Sequence, residues 1–291
     1  MTLHTALPEV GIFARTFPRA TVDEVATAVA EAEFHLAQFN FSAIGMPTLA
    51  PDASAKLFDM VGRSFQNSGV SIWGLSATYN IINPDPVCRA RQTREATRLI
   101  GLSPRLGVSA VTLCSGTRNP KSMWEGHPDN RSPAAWRDMR STLDVLLEAA
   151  ANAGVVLGIE PEPTNIINSA KSARRLINEL GTTAPRHLGI VLDPGNLVTA
   201  ENLSRQRHVF DEAFDLLADH IIGLQAKDLT ADGPAPLGRG ELDYTHICDH
   251  TLRLGRPVPT IIQDADAQDA GRSGRYLRTR LRTAAEHRRN S

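Results

Sequence analysis

Four short apolar runs in this chain end on polar side chains that can do chemistry. GIEPEP brings Glu160 to the end of one. IVLDPGN brings Asp193, with Asn196 one short turn on. GLQAKD brings Gln225, Lys227 and Asp228, and TIIQDAD brings Gln263. A carboxylate there can move a proton or hold a cation. A carboxamide both donates and accepts, and a lysine can hold an anionic or carbonyl oxygen. A carboxylate after an apolar run can also be simply a helix N-cap, and for Asp193 alone that reading stands beside the functional one. It weakens once all four ends are taken together, because one rim would then gather polar groups without purpose.

The elements that carry these residues form a regular alternation. Apolar runs rich in β-branched residues occur at 10–13, 34–39, 70–77, 108–114, 155–160, 188–193, 221–226 and 260–263. Between them lie segments with apolar residues at i, i+3, i+4, such as Val22, Val25, Ala26, Val29 and Leu143, Leu146, Leu147, Ala150, the pattern of one buried helix face. Gly69, Gly107, Gly154 and Gly189 sit just before or within the following run, where a helix stops and the backbone turns. VVLGI and LGIVL are near-continuous apolar runs, as buried parallel strands are. Eight such units in 291 residues predict a closed (β/α)8 barrel formed as a single domain over residues 1–291. A doubly wound open sheet is the alternative, but it usually begins with a glycine-rich first turn that this chain lacks. In a closed barrel the C-terminal strand ends share one rim, where substrates bind. The long connection at 115–132 also belongs to that rim, and long loops there concentrate function.

Composition narrows the function classes. A net charge of −1 gives no general footprint for nucleic acid, and the seven Arg within 272–289 read as the solvated face of a last helix. Three cysteines, Cys88, Cys114 and Cys248, have no CxxC spacing, which argues against disulfides or a zinc cluster and fits a reducing cytoplasm. Residues 1–10 show no signal-peptide pattern, and no apolar run approaches the ~18 residues of a membrane span. The expected partner is a small-molecule substrate, with no membrane or nucleic acid; self-association is left open.

GIEPEPTNIINSA, GIVLDPGNL, QAKD, LGRGELDY and CSGTRNPKSMWEGHPDN resemble one branch of the xylose-isomerase-like sugar phosphate isomerase and epimerase family, and the resemblance spans essentially the whole chain. It implies one divalent metal, Mn2+ or Mg2+, held at the ends of strands five to eight. By position the ligands are Glu160, Asp193, Gln225 and Gln263. It further implies proton transfer beside a carbonyl, with Glu160 as the general base. Such a base works best when burial or neighbours bring its pKa toward operating pH.

The chain departs from the family pattern at Gln263, where the family carries Glu as a ligand and, in epimerases, as one of two opposed bases. An amide cannot take a proton at neutral pH, so two-base epimerisation through this position is disabled. The ligand charge also falls, leaving a metal-free site as the open alternative. Asp264 and Asp266 stand nearby; strand alternation points Asp264 outward, and Asp266 lies beyond the strand, able to fold back. Pro161 and Pro163 place Glu162 outside the sheet. Lys227 is the candidate electrophile, with His127 the other cation able to assist, or else a structural Lys beside Asp228. Trp124 and His127 are candidates to roof the pocket, Arg239 to contact a substrate oxyanion, and Gln38, Asn40, Tyr79 and Asn80 to recognise hydroxyls. The readings in competition are an isomerase or epimerase on a small sugar, sugar phosphate or keto-acid; a metal-independent lyase, dehydratase or cyclase; and a non-catalytic ligand-binding barrel. A multi-zinc endonuclease on the same fold is disfavoured, because the strand ends are poor in His.

Overall fold

The computed structural model describes residues 7–181 and 186–290; part of the segment read for a leader, residues 1–6, lies outside the described residues. Among the described residues ten strands are formed. Eight are parallel: β1 (Val10–Phe13), β2 (Leu36–Phe39), β3 (Ser71–Ser76), β4 (Ala110–Cys114), β5 (Val156–Glu160), β6 (Leu188–Leu192), β7 (Ile221–Ala226) and β10 (Thr260–Ile262). They close into a barrel with β10 pairing β1. The other two, β8 (Asp228–Thr230) and β9 (Gly233–Ala235), make an antiparallel hairpin directly after β7. Helices α1 (Val22–Glu31), α2 (Ala55–Asn67), α3 (Pro86–Leu102), α4 (Pro133–Ala153), α5 (Ala170–Leu180), α6 (Gln206–Leu217), α7 (Tyr244–Arg253) and α8 (Ala270–Asn290) alternate with the barrel strands. The expected (β/α)8 barrel is the observed fold. Among the described residues no helix is long and apolar enough to cross a membrane.

Several strands begin later than their apolar runs, for a common reason. The first residue of the run closes the preceding helix instead of joining the sheet. Phe34 N donates to Val29 O at 3.3 Å, Val70 N to Phe65 O at 3.0 Å and Val155 N to Ala150 O at 3.1 Å. Their side chains are buried all the same, so hydrophobicity alone cannot mark the boundary. Gly69, Gly107 and Gly154 take positive φ where helical segments end, whereas Gly189 lies inside β6.

The main core lies between the barrel strands and the helices, where Val25, Phe58, Leu99, Leu146, Leu176 and Phe214 are buried. A smaller cluster of Phe13, Leu36 and Ile261, with Trp73 against it, is separate. Phe13 pairs in register with Gln38, and Ile261 with Gln225. Neighbours in register point the same way, so this cluster fills the inner face beneath the polar residues of the mouth.

Candidate active site at the barrel mouth

Glu160 is the last residue of β5 and lies buried. Asp193, one residue past β6, has no exposed surface. Its Oδ1 accepts from Gly195 N at 2.8 Å and so caps the short 3-10 turn Pro194–Leu197. The capping and functional readings of Asp193 are therefore compatible: Oδ1 serves the turn, while Oδ2 faces the site, buried and without a hydrogen bond.

That turn presents Asn196, whose Nδ2 donates to Glu160 Oε1 at 2.8 Å, to Glu162 Oε2 at 2.9 Å and to Pro161 O at 3.2 Å. Lys227 Nζ donates to Asn196 Oδ1 at 2.5 Å and lies 3.3 Å from Asp193 Oδ2. Tyr244, at the start of α7, fixes the backbone beneath by donating from its hydroxyl to Lys227 O at 2.6 Å. Gly195 leaves room for the lysine to cross: a Cβ there would stand 2.9 Å from Lys227 Cγ and 3.1 Å from Cε. Glu162 does leave the strand, as its flanking prolines require, yet its carboxylate returns to the site through Asn196.

Electrostatics follow from this burial. Loss of water pushes the Glu160 carboxyl well above its usual range, and Asp193 adds to the shift. Burial also raises Glu162, against the pull of Lys227. Asp193 is raised by burial, moderated by Lys227 and the Gly195 N–H. For Lys227, burial disfavours the charge, but Asp193, Glu160 and Glu162 more than offset it and its pKa rises. Cys114, in register with Glu160, has its thiol pushed well up by burial and then by Glu160, so it stays protonated.

Gln225 and Gln263 join the same cavity. The Gln225 amide terminus lies 2.9 and 3.0 Å from the two Glu160 oxygens and against Gln263 Oε1. With the amide oxygen turned inward, acceptors oppose acceptors, while Nε2 donates outward to Gln38 Oε1 at 3.2 Å and Gln38 in turn donates to Thr112 Oγ1 at 2.9 Å. With the nitrogen inward, Gln225 instead donates to Glu160 and Gln263. Orientation of such an amide is decided by its hydrogen-bond partners. The inward oxygen needs a cation or a protonated Glu160 opposite it, and the inward nitrogen suits an ionised Glu160. Inward oxygens of Gln225, Glu160 and Gln263, together with the unsatisfied Asp193 Oδ2, form an all-oxygen donor set that fits a hard divalent ion. Lys227 competes for Asp193.

The remaining candidates divide. Gln38 is buried in the barrel, bonded to Gln225 and Thr112. Asn80 is spent on the chain itself: its Nδ2 donates to Thr117 O at 2.9 Å and its Oδ1 accepts from Thr117 N at 3.0 Å, clamping the loop after β4. Asn40 accepts from Ser42 N, and the Tyr79 hydroxyl donates to Thr93, both structural bonds. His127 Nδ1 accepts from Asp129 N at 3.2 Å, and its ring lines a groove with Arg131, Trp136 and Thr164 that none of the carboxylates of the mouth lines. Trp124 is exposed on the same loop, and Arg239 is exposed in the turn after β9. None of these three is brought together with Glu160.

Asp228 is also turned to structure: its carboxylate accepts from the N–H groups of Leu229, Gly238, Gly240 and Leu242 and so shapes the GRGE turn. Asp264 takes a positive φ of 55° just past the strand and pairs with Arg15 at 3.0 Å; strand alternation does not reach it. Asp266 is exposed. A cleft of about 560 Å3, lined by Val198, the β8–β9 hairpin, Asp264 and Asp266, reaches the site at Lys227 and Gln263.

Solved structures share this architecture. The apo 3-keto-D-glucoside 4-epimerase of E. coli is 18% identical, with a TM-score of 0.71, covering 94% of this chain and 99% of that one. An L-ribulose 3-epimerase is 15% identical with a TM-score of 0.75, covering 97% of each chain. A xylose isomerase-like TIM barrel protein from Mycobacterium smegmatis, solved in complex with magnesium, is 18% identical with a TM-score of 0.70, covering 98% of this chain and 99% of that one. At such identities the likeness is one of fold. No curated protein sequence matches the chain. The family model for xylose isomerase-like TIM barrels matches residues 27–269. The chain belongs to the xylose isomerase-like TIM barrel family.

Proposed function

We propose that this chain is an isomerase that moves a proton between adjacent carbons of a small keto- or hydroxy-substrate, a sugar, sugar phosphate or keto-acid, with Glu160 as the base. The observation that carries the reading is the carboxylate pair Glu160 and Glu162 held by one Asn196 amide nitrogen, with the Lys227 ammonium on the other end of that amide. Glu160 in its ionised form takes the proton from the carbon beside the carbonyl. The electron pair moves to the carbonyl oxygen, and the resulting enediolate is stabilised by the nearby positive charge of Lys227. The raised pKa of Glu160 lets it hold that proton and return it to the former carbonyl carbon, while the hydroxyl proton of the first carbon passes to the enediolate oxygen, so that the first carbon becomes the new carbonyl. A divalent ion, when bound by Glu160, Asp193, Gln225 and Gln263, would supply a Lewis acid that grips adjacent substrate oxygens.

Return of the proton by the same group is favoured over exchange between opposed bases. Gln263, one residue past β10 where the second base would stand, cannot take a proton. Glu162 shares Asn196 with Glu160 and so stands on the same side of the cavity. The activities of the similar epimerases support the substrate class, and glutamine at the position just after β10 supports isomerisation. The test is a keto-sugar and keto-acid panel incubated in D2O, read for aldose–ketose conversion and for deuterium at the carbon beside the carbonyl. Conversion with retained configuration at the other centres supports the proposal. Inversion at a single centre without carbonyl migration contradicts it.

A second reading has its own observation. Lys227 lies against Asp193, so a fixed cation already faces one of the oxygens a metal would use. That favours metal-independent chemistry, including a lyase or dehydratase that expels a leaving group from the same enediolate. Full turnover by chelator-treated protein, with loss of water from the substrate, would select it.

A further inference from the structure

Outside the barrel, helices α6 and α7 bring together three side chains that the mouth does not use. His246 and His250, one turn apart on α7, both aim Nε2 at the same oxygen of Asp211 on α6, each at 2.7 Å. Their rings stand nearly perpendicular, at 88°, and the His250 ring is held by stacking on Phe214 at 4.7 Å. The three ligand atoms lie within 4.8 Å of one another. The side chains of Asp211 and His246 are 46% and 22% exposed, so solvent reaches the outer side of the cluster. Neighbouring guanidiniums are committed elsewhere: Arg207 to Asp243, and Arg253 and Arg288 to Asp249.

We propose that Asp211, His246 and His250 form a second metal site that takes a borderline divalent ion such as Zn2+ or Co2+, with water in the remaining position. Two imidazoles at i, i+4 and one carboxylate are the ligand types and spacing that such an ion prefers, with bonds of about 2.0–2.2 Å. Hard Mg2+ favours the all-oxygen set at the barrel mouth instead. The half-exposed carboxylate can swing outward to admit the ion, while Phe214 keeps His250 in place. Bound there, the ion clips α6 to α7. These helices precede β7, which carries Gln225 and leads into Lys227, and β10, which leads into Gln263, so the clip stabilises the framework of the mouth from outside.

The test uses the full chain, stripped of metal and titrated with Co2+, followed by visible absorption and by the thermal midpoint. The unaltered protein should give the intense d–d band of four-coordinate Co2+, distinct from the weak band of a six-coordinate all-oxygen site, saturating at one equivalent and accompanied by a raised midpoint. His246→Gln and His250→Gln should lose that intense band and the part of the midpoint rise that accompanies it, with the far-UV spectrum unchanged. Because His250 is buried, His246→Gln is the deciding variant. The double variant Glu160→Gln, Asp193→Asn should keep the band. Absence of the intense band in the unaltered protein, its survival in His246→Gln, or its loss in the mouth variant overturns the proposal.

Discussion

The ammonium of Lys227 lies 3.3 Å from Asp193 Oδ2, a buried carboxylate oxygen that makes no hydrogen bond. This pair sets the electrostatic balance of the mouth, because Lys227 is the cation that opposes the burial of three carboxylates.

Removing that cation moves the titration of the site. Lys227→Met should raise the pKa values of Glu160, Glu162 and Asp193 further, since a neighbouring positive charge favours the ionised form. The acid limb of the pH–rate profile should move up by about one unit or more, each unit being about 1.4 kcal/mol. An unmoved limb would show that Lys227 does not face the base.

Stability should carry the opposite signature to that of ordinary salt-bridged acids. Glu160, Glu162 and Asp193 have folded-state pKa values above their unfolded ones. The folded state therefore binds more protons, and stability falls as pH rises from the usual carboxylate range through the raised values. In chelator-treated protein, Glu160→Gln should flatten that slope and raise the thermal midpoint at neutral pH by a few degrees, on the order of 1–2 kcal/mol. A lowered midpoint would contradict the assignment of Glu160 as a destabilised buried acid.

Gly195→Ala places a methyl group against the Lys227 stem. Overpacking of this kind costs about 1–3 kcal/mol. The larger consequence should be functional: a displaced lysine loses Asn196, and turnover should fall by tenfold or more while the circular dichroism spectrum is kept. Full activity would mean that the position of Lys227 is immaterial.

Gln263→Glu adds an anion to the oxygen donor set. Affinity for Mn2+, measured by calorimetry on metal-stripped protein, should rise by about a hundredfold or more, equivalent to about 3 kcal/mol. Unchanged affinity would show that Gln263 does not reach the ion.

Much of this arrangement was legible in the sequence because strand geometry transmits position. A residue that ends a buried parallel strand must lie at the mouth, so Glu160, Asp193, Gln225 and Gln263 were placed by the apolar runs before them, and Asn196 by the short turn after Asp193. Loops lack that constraint. Asn80, His127 and Arg239 have the right chemistry for a site, but Asn80 clamps the backbone, His127 caps a turn and Arg239 stays exposed. Glu162 was hidden by its prolines: leaving the strand was read correctly, whereas the return through Asn196 depends on a contact across the mouth. Tyr244 gave no signal, since its hydroxyl meets Lys227 O only across the fold, from the start of α7 to the residue after β7. The His246–His250 spacing was visible in the sequence, but its partner Asp211 lies on another helix and needed the packing to be seen.

Proton abstraction by Glu160 is the central step of the proposed reaction, and deuterium exchange measures it directly. The protein is incubated in D2O with whichever keto-substrate it turns over, and label at the carbon beside the carbonyl is followed by NMR. Exchange is predicted in the unaltered protein and should fall at least a thousandfold in Glu160→Gln, with substrate binding retained. Exchange that persists at the original rate in Glu160→Gln would contradict the central claim.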